Sequence, residues 1–132
     1  MKSLFLSAIL ALSPIAAAAE SYECTTESYG SGGWVSNVMI LGVDREKNVG
    51  SAFDFAIQEV HKAPIPVKFK KWSDNRFQFN WTVKGIQTSN SGSSIISYKV
   101  TLRPNSGKFT LSGRLHGSDN VISGSGTCEM IK

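Results

Sequence analysis

Ile65-Pro66-Val67-Lys68-Phe69-Lys70-Lys71-Trp72-Ser73-Asp74-Asn75-Arg76-Phe77-Gln78-Phe79-Asn80-Trp81-Thr82-Val83-Lys84 reads as two strands and the turn between them. In the second strand Phe77, Phe79, Trp81 and Val83 lie on one face, and Arg76, Gln78, Asn80, Thr82 and Lys84 on the other. A helix would scatter that aromatic set around its circumference, whereas a strand collects it on one side. Ile65, Val67 and Phe69 alternate in the same way with Lys68 and Lys70. Directly opposed residues of an antiparallel pair share a face, so the loop length is constrained. A three-residue loop, Ser73-Asp74-Asn75, sets Phe69 opposite Phe79, Val67 opposite Trp81 and Ile65 opposite Val83. The outer face then pairs Trp72 with Arg76 and Lys70 with Gln78.

The same alternation continues on both sides. Ile96, Tyr98, Val100 and Leu102 form one apolar face, and Phe109, Leu111 and Leu115 another. The turn Pro104-Asn105-Ser106-Gly107 opposes Leu102 to Phe109 and Val100 to Leu111, and sets the Tyr98 ring over Gly113. A second turn, Gly117-Ser118-Asp119-Asn120, leads into a last strand from Val121 to Met130 and sets Cys128 opposite Phe109. Ile122, Gly124, Gly126 and Cys128 share its inward face, and glycines at alternate positions predict close approach by a backbone or a large ring. Upstream, Tyr22 to Thr26 and Trp34 to Val43 read as strands, joined through a glycine-rich loop, Tyr29 to Gly33. Asp44 to Asn48 is a polar turn. Ser51 to Lys62 fits two patterns: Phe53, Phe55 and Ile57 alternate as in a strand, and Phe53, Ala56, Ile57 and Val60 share a helical face. The strand is preferred, with Asp54 pointing outward and a short helix near residues 51–62 as the alternative. Thr88 to Ser94 reads as a serine-rich loop. The prediction is all-β: about eight antiparallel strands in a meander, forming a small closed or partly open barrel, or else a β-sandwich.

The first 19 residues have the pattern of a signal peptide. Lys2 is followed by an apolar run from Leu4 to Leu12, then by Ala16-Ala17-Ala18-Ala19, which predicts cleavage after Ala19. The run is shorter than the roughly 20 residues that span a bilayer, and no later segment reads as transmembrane. Residues 20–132 form the expected single β-domain. Export of this kind, with a short alanine-rich leader, points to a bacterial periplasmic or secreted protein. An oxidising compartment predicts a disulfide between Cys24 and Cys128, the only two cysteines. Two free thiols or a bridge between molecules are the alternatives. An intramolecular bridge would fasten the first strand to the last.

Catalytic constellations are missing from the pattern. His61 and His116 are far apart, without a partner at metal-ligand spacing. No strand-to-helix nucleophile elbow or phosphate-binding glycine loop is present. The expectation is therefore a protein without catalytic residues, metal or cofactor. The chain carries 14 Lys and Arg against 10 Asp and Glu, a net charge of +4 that includes the leader's Lys2. That is too mild for a nucleic-acid binder. The basic residues nevertheless concentrate. Lys68, Lys70, Arg76 and Lys84 share one outer face with Trp72, and Arg76 opposite Trp72 predicts a cation–π pair. Such a face suits an acidic protein or an anionic envelope component. It also suits a solvated sheet whose lysines deter edge pairing.

Tyr22-Glu23-Cys24, Pro64-Ile65-Pro66, Phe79-Asn80-Trp81 and Gly124-Ser125-Gly126-Thr127-Cys128 together resemble an uncharacterised group of small exported bacterial β-proteins with terminal cysteines. That resemblance implies no activity. In architecture alone the chain is similar to bacterial periplasmic lysozyme inhibitors, which are also small, exported, disulfide-bearing barrels. Their inhibitory loop motifs are not found, so no residue role carries over. The expected function is a small exported binding or inhibitor-like protein acting through its surface. A carrier barrel with a ligand in its interior is the alternative, and an enzyme the more distant one.

Overall fold

The computed structural model describes residues 19–30, 33–88, 92–119 and 121–132. Eight antiparallel strands close into a barrel in chain order. They are β1 (Ala19–Ser28), β2 (Val38–Asp44), β3 (Val49–Phe53), β4 (Ile65–Ser73), β5 (Arg76–Thr88), β6 (Gly92–Arg103), β7 (Lys108–Leu115) and β8 (Val121–Met130). A short helix, α1 (Phe55–His61), joins β3 to β4. The meander thus takes the closed-barrel form rather than the sandwich. Of the leader read at residues 1–19, residues 1–18 lie outside the described residues; Ala19 opens β1 opposite Asp44.

Alternation sends the apolar half of each strand inward. Phe77, Phe79 and Val83 of β5 are fully buried together with Ile96, Val100 and Leu102 of β6. Phe109, Ile122, Leu41 and Cys24 join them, so large side chains occupy the interior. β6 and β7 pair as the four-residue turn predicts, with Leu102 opposite Phe109, Val100 opposite Leu111 and Tyr98 opposite Gly113. A β-carbon on Gly113 would lie 3.2 Å from the Tyr98 ring, which is why the ring can cover that position.

Sulfur joins Cys24 to Cys128 across the β1–β8 pair. Both residues are buried, and the bridge sits where the first strand meets the last. That seam is the one anticipated from the sequence.

Several boundaries differ from the reading of the sequence. The β4–β5 register is correct at Phe69–Phe79 and Lys70–Gln78, but a bulge between Lys71 and Ser73 lets Trp72 loop out. Ser73 therefore faces Arg76, and the turn shortens to Asp74-Asn75. Beyond Lys68–Asn80, β4 leaves β5 and pairs with β3, with Val67 opposite Gly50 and Ile65 opposite Ala52. Val67–Trp81 and Ile65–Val83 are therefore not partners. Pro64 and Pro66, which lack an N–H, stand where the strand gives up that neighbour.

Ser51 to Lys62 uses both of its patterns in turn. The strand runs to Phe53; Asp54 then caps α1 by accepting from the Ile57 N–H at 2.9 Å. Lys62 ends the helix in the left-handed region. Asp54 is 4% exposed, not outward as its place between two phenylalanines suggested; the change from strand to helix at that residue turns it inward. The strand expected from Trp34 starts only at Val38. Trp34 itself is left-handed (φ 64°), and its carbonyl accepts from the Tyr98 hydroxyl at 2.6 Å. The β7–β8 register is shifted by two: Phe109 faces Gly126, not Cys128. A β-carbon on Gly126 would lie 2.9 Å from the Phe109 ring and closer still to the Thr25 carbonyl. That packing, rather than the shortest turn, fixes the register. Of the serine-rich stretch, Thr88 ends β5 and Gly92 begins β6; residues 89–91, like 31–32 of the glycine-rich loop and Asn120, lie outside the described residues.

Candidate functional site

The outer face of β4 and β5 is organised around Trp72, which the bulge pushes out until it is half exposed. Lys70 Nζ lies 3.7 Å from the centre of its ring and the Arg76 guanidinium 5.2 Å. The indole therefore holds two like charges close together, as cation–π attraction allows. Its Nε1 donates to Gln78 Oε1 at 3.0 Å, and Gln78 Nε2 donates to Asn80 Oδ1 at 2.8 Å. This relay occupies the Asn80 side-chain carbonyl and leaves its amide N–H groups available as donors. Asp74, the carboxylate of this hairpin, is paired with Lys71 at 2.8 Å, and the bond to that ammonium holds it below its usual range.

Lys70 and Arg76 therefore gather at Trp72, and Lys68 lies on the same strand opposite Asn80. Lys84 does not join them. It shares the outer face but lies eight residues beyond Arg76, roughly 27 Å along a strand rising about 3.4 Å per residue. It faces Ile95, just before a bulge at Gly85.

The topology adds cations that a single-hairpin reading missed. Lys99 and Arg103 on β6, and Lys108 and Arg114 on β7, are exposed outward positions of the next two strands. With Lys68, Lys70 and Lys71 of β4 and Arg76 and Lys84 of β5, half the barrel wall carries nine Lys and Arg against Asp74 alone. The remaining described segments are acidic, with nine carboxylates against Arg45, Lys47, Lys62 and Lys132. The signal was present in the sequence: between Glu59 and Asp119 the only carboxylate is Asp74. Registers place these charges side by side. Asn80 lies between Lys68 and Lys99 on its two neighbouring strands. Arg103 stands directly opposite Lys108, an arrangement that normally costs stability. Neighbouring strands are about 4.8 Å apart and the screening length at physiological salt is about 8 Å, so charges facing each other on adjoining strands reinforce one another.

A cleft of about 630 Å³ opens where β4 leaves β5. Ile65, Pro66 and Val67 form one wall, Lys68 and Asn80 the corner where the strands still pair, and Trp81, Thr82, Ser97 and Tyr98 the remainder. Trp81 is 6% exposed and packs at 5.5 Å against Tyr98. Its Nε1–H is buried with no hydrogen-bond partner among the described residues. An orphaned buried donor costs about 1–3 kcal/mol.

Ser97 Oγ bonds Thr82 Oγ1 at 2.9 Å and His116 Nε2 at 2.7 Å. Sequence spacing did not reveal this link, because it crosses from β6 to the loop after β7. His61 lies in the last turn of α1. At the end of the barrel near the β2–β3 turn, Glu20 receives Arg45 at 2.8 Å and the Tyr22 hydroxyl at 2.8 Å. Burial, then the Glu20 contact, pushes the Tyr22 phenol up to about 12. These groups tie β1 to the β2–β3 turn and read as structural. Among the described residues no helix is long and apolar enough to cross a membrane. The chain matches no protein-family model, no curated protein and no solved structure.

Proposed function

We propose that this chain is an exported, non-catalytic binding or inhibitor-like protein that works through the basic half of its barrel, with an anionic macromolecule as partner. The observation that carries the reading is the segregation of charge: β4 to β7, with the turns between them, hold nine cations and one carboxylate, all exposed, on adjoining strands. The Arg103–Lys108 pair supports it, since like charges set directly opposite each other are relieved when an anion arrives. The buried Phe77, Phe79 and Phe109 support a surface role over a carrier barrel, because they take the space a carried ligand would need. The Cys24–Cys128 bridge and the leader-like residues 1–19 support a periplasmic or secreted location.

The test is equilibrium binding to poly-L-glutamate, followed by fluorescence anisotropy of the labelled polymer at rising salt. The expected result is saturable binding that weakens steadily with ionic strength. Binding to poly-L-lysine in preference, or to neither polymer, would overturn the reading.

A further inference from the structure

The basic field explains attraction to an anion but not where a specific group would lodge. We propose that the cleft between β4 and β5 is the anchoring pocket of this surface, taking a carboxylate side chain from an acidic segment of a partner protein. The inference rests on the binding reading above and names the ligand chemistry of the same face.

Three observations converge on the cleft. Its polar corner is rich in donors. Lys68 and Asn80 line it, Lys99 stands opposite Asn80 on the next strand outside the lining, and the relay from Trp72 through Gln78 leaves the Asn80 amide N–H groups available. Its carboxylate count is zero: Ile65 to Lys68, Asn80 to Thr82, Ser97 and Tyr98 include no acidic side chain. Trp81 lines it with a buried N–H that lacks an acceptor among the described residues. A carboxylate seated there meets the Lys68 ammonium and the Asn80 amide, and gives the indole the acceptor it lacks, as charge-assisted bonds favour.

The opposite wall selects between classes of anion. Ile65, Pro66 and Val67 present hydrocarbon. The methylene stem of a glutamate can lie against that wall while its carboxylate reaches the donors. The hydroxyl-covered ring of an acidic sugar would strip water from polar groups there for no return. An acidic peptide therefore fits the cleft better than an anionic glycan.

The experiment uses the full disulfide-bonded protein and a fluorescein-labelled deca-glutamate peptide, acetylated and amidated at its ends, with polygalacturonate as competitor. Three variants are compared with wild type. Trp81→Phe keeps a ring and removes the N–H. Thr82→Tyr fills the cleft from its exposed rim. Arg103→Glu reverses a charge of the basic half outside the cleft. Thermal melts accompany each, and binding is compared where every variant is folded, because Trp81→Phe also leaves a smaller ring against Tyr98. The expected result is that Trp81→Phe and Thr82→Tyr each weaken peptide binding about tenfold or more, and that polygalacturonate competes poorly. If wild type binds the peptide and Arg103→Glu weakens it, but both cleft variants bind as wild type, the pocket is wrong and the basic surface stands. If polygalacturonate binds and the peptide does not, the ligand class is wrong. If neither binds, both the pocket and the surface reading fail.

Discussion

Cys24 and Cys128 stand directly opposite each other across the β1–β8 pair, their Cα atoms 3.9 Å apart and their sulfurs bonded. The bridge spans a sequence separation of 104 residues and fastens the barrel at the seam where its first and last strands meet. It acts mainly on the unfolded chain, which it forbids from separating its ends.

Replacing both cysteines by alanine should therefore leave the barrel folded and lower its stability by about 3–5 kcal/mol. The strand pairing of β1 with β2 and β8 survives the change. Urea unfolding followed by circular dichroism measures it. An unchanged midpoint would mean that the seam is held by its backbone pairing alone.

Gly126 sits under the Phe109 ring and against the Thr25 carbonyl, with no room for a β-carbon. Gly126→Ala should cost about 1–3 kcal/mol through overpacking. Chemical denaturation reads the loss. If the variant is as stable as wild type, the β7–β8 register described above is wrong.

Asp54 is buried, and burial raises its carboxyl above the usual range, opposed by bonds from the Ile57 and Ala56 N–H groups. The folded state therefore binds this proton at a higher pH than the unfolded state does. Above the raised value the ionised group costs stability in full. As pH falls from that value to the unfolded one, about 3.9, the cost is recovered. Asp54→Asn keeps an acceptor for the cap and removes the charge. The substituted protein should thus be the more stable of the two at pH 7, and its advantage over wild type should shrink on acidification. Urea titrations of both proteins from pH 7 to pH 3 test this, and a gap that widens on acidification would contradict it.

Arg103 and Lys108 oppose each other with the same charge. Lys108→Gln should make the isolated protein more stable by about 0.2–1 kcal/mol while weakening its hold on an anionic polymer. Melting and binding, measured on one preparation, check the two directions together. A variant that loses both stability and affinity would assign Lys108 a structural role.

Much of this architecture could be read from alternation, because a buried face fixes which residues point inward. The β6–β7 register and the stretch of β4–β5 from Lys68–Asn80 to Lys71–Phe77 followed from that rule, and the seam between Cys24 and Cys128 from the cysteine pair and the meander order. Errors arose where a long-range contact outweighed local pattern. The shift at Phe109–Gly126 depends on the Thr25 backbone from the far end of the chain. The departure of β4 from β5 depends on β3, which no turn rule involves. At Asp54 a single residue converts strand into helix, so the preferred strand held only for residues 51–53 and the helical alternative for Phe55–His61. Lys68, Lys70, Trp72 and Arg76 could be grouped from one hairpin. Adding Lys99, Arg103, Lys108 and Arg114 required knowing that four successive strands are neighbours. The Ser97–His116 contact required knowing where β7 ends.

Charge reversal on opposite sides of the barrel tests the central claim most directly. Lys99→Glu with Arg103→Glu alters the basic half; Glu23→Lys with Glu46→Lys alters the acidic one, at exposed positions in both cases. Affinity for poly-L-glutamate at fixed salt is the measurement. The basic-half reversal should abolish binding, and the acidic-half reversal should preserve or strengthen it. Equal affinity in the two variants would show that neither half of the barrel is the protein's working surface.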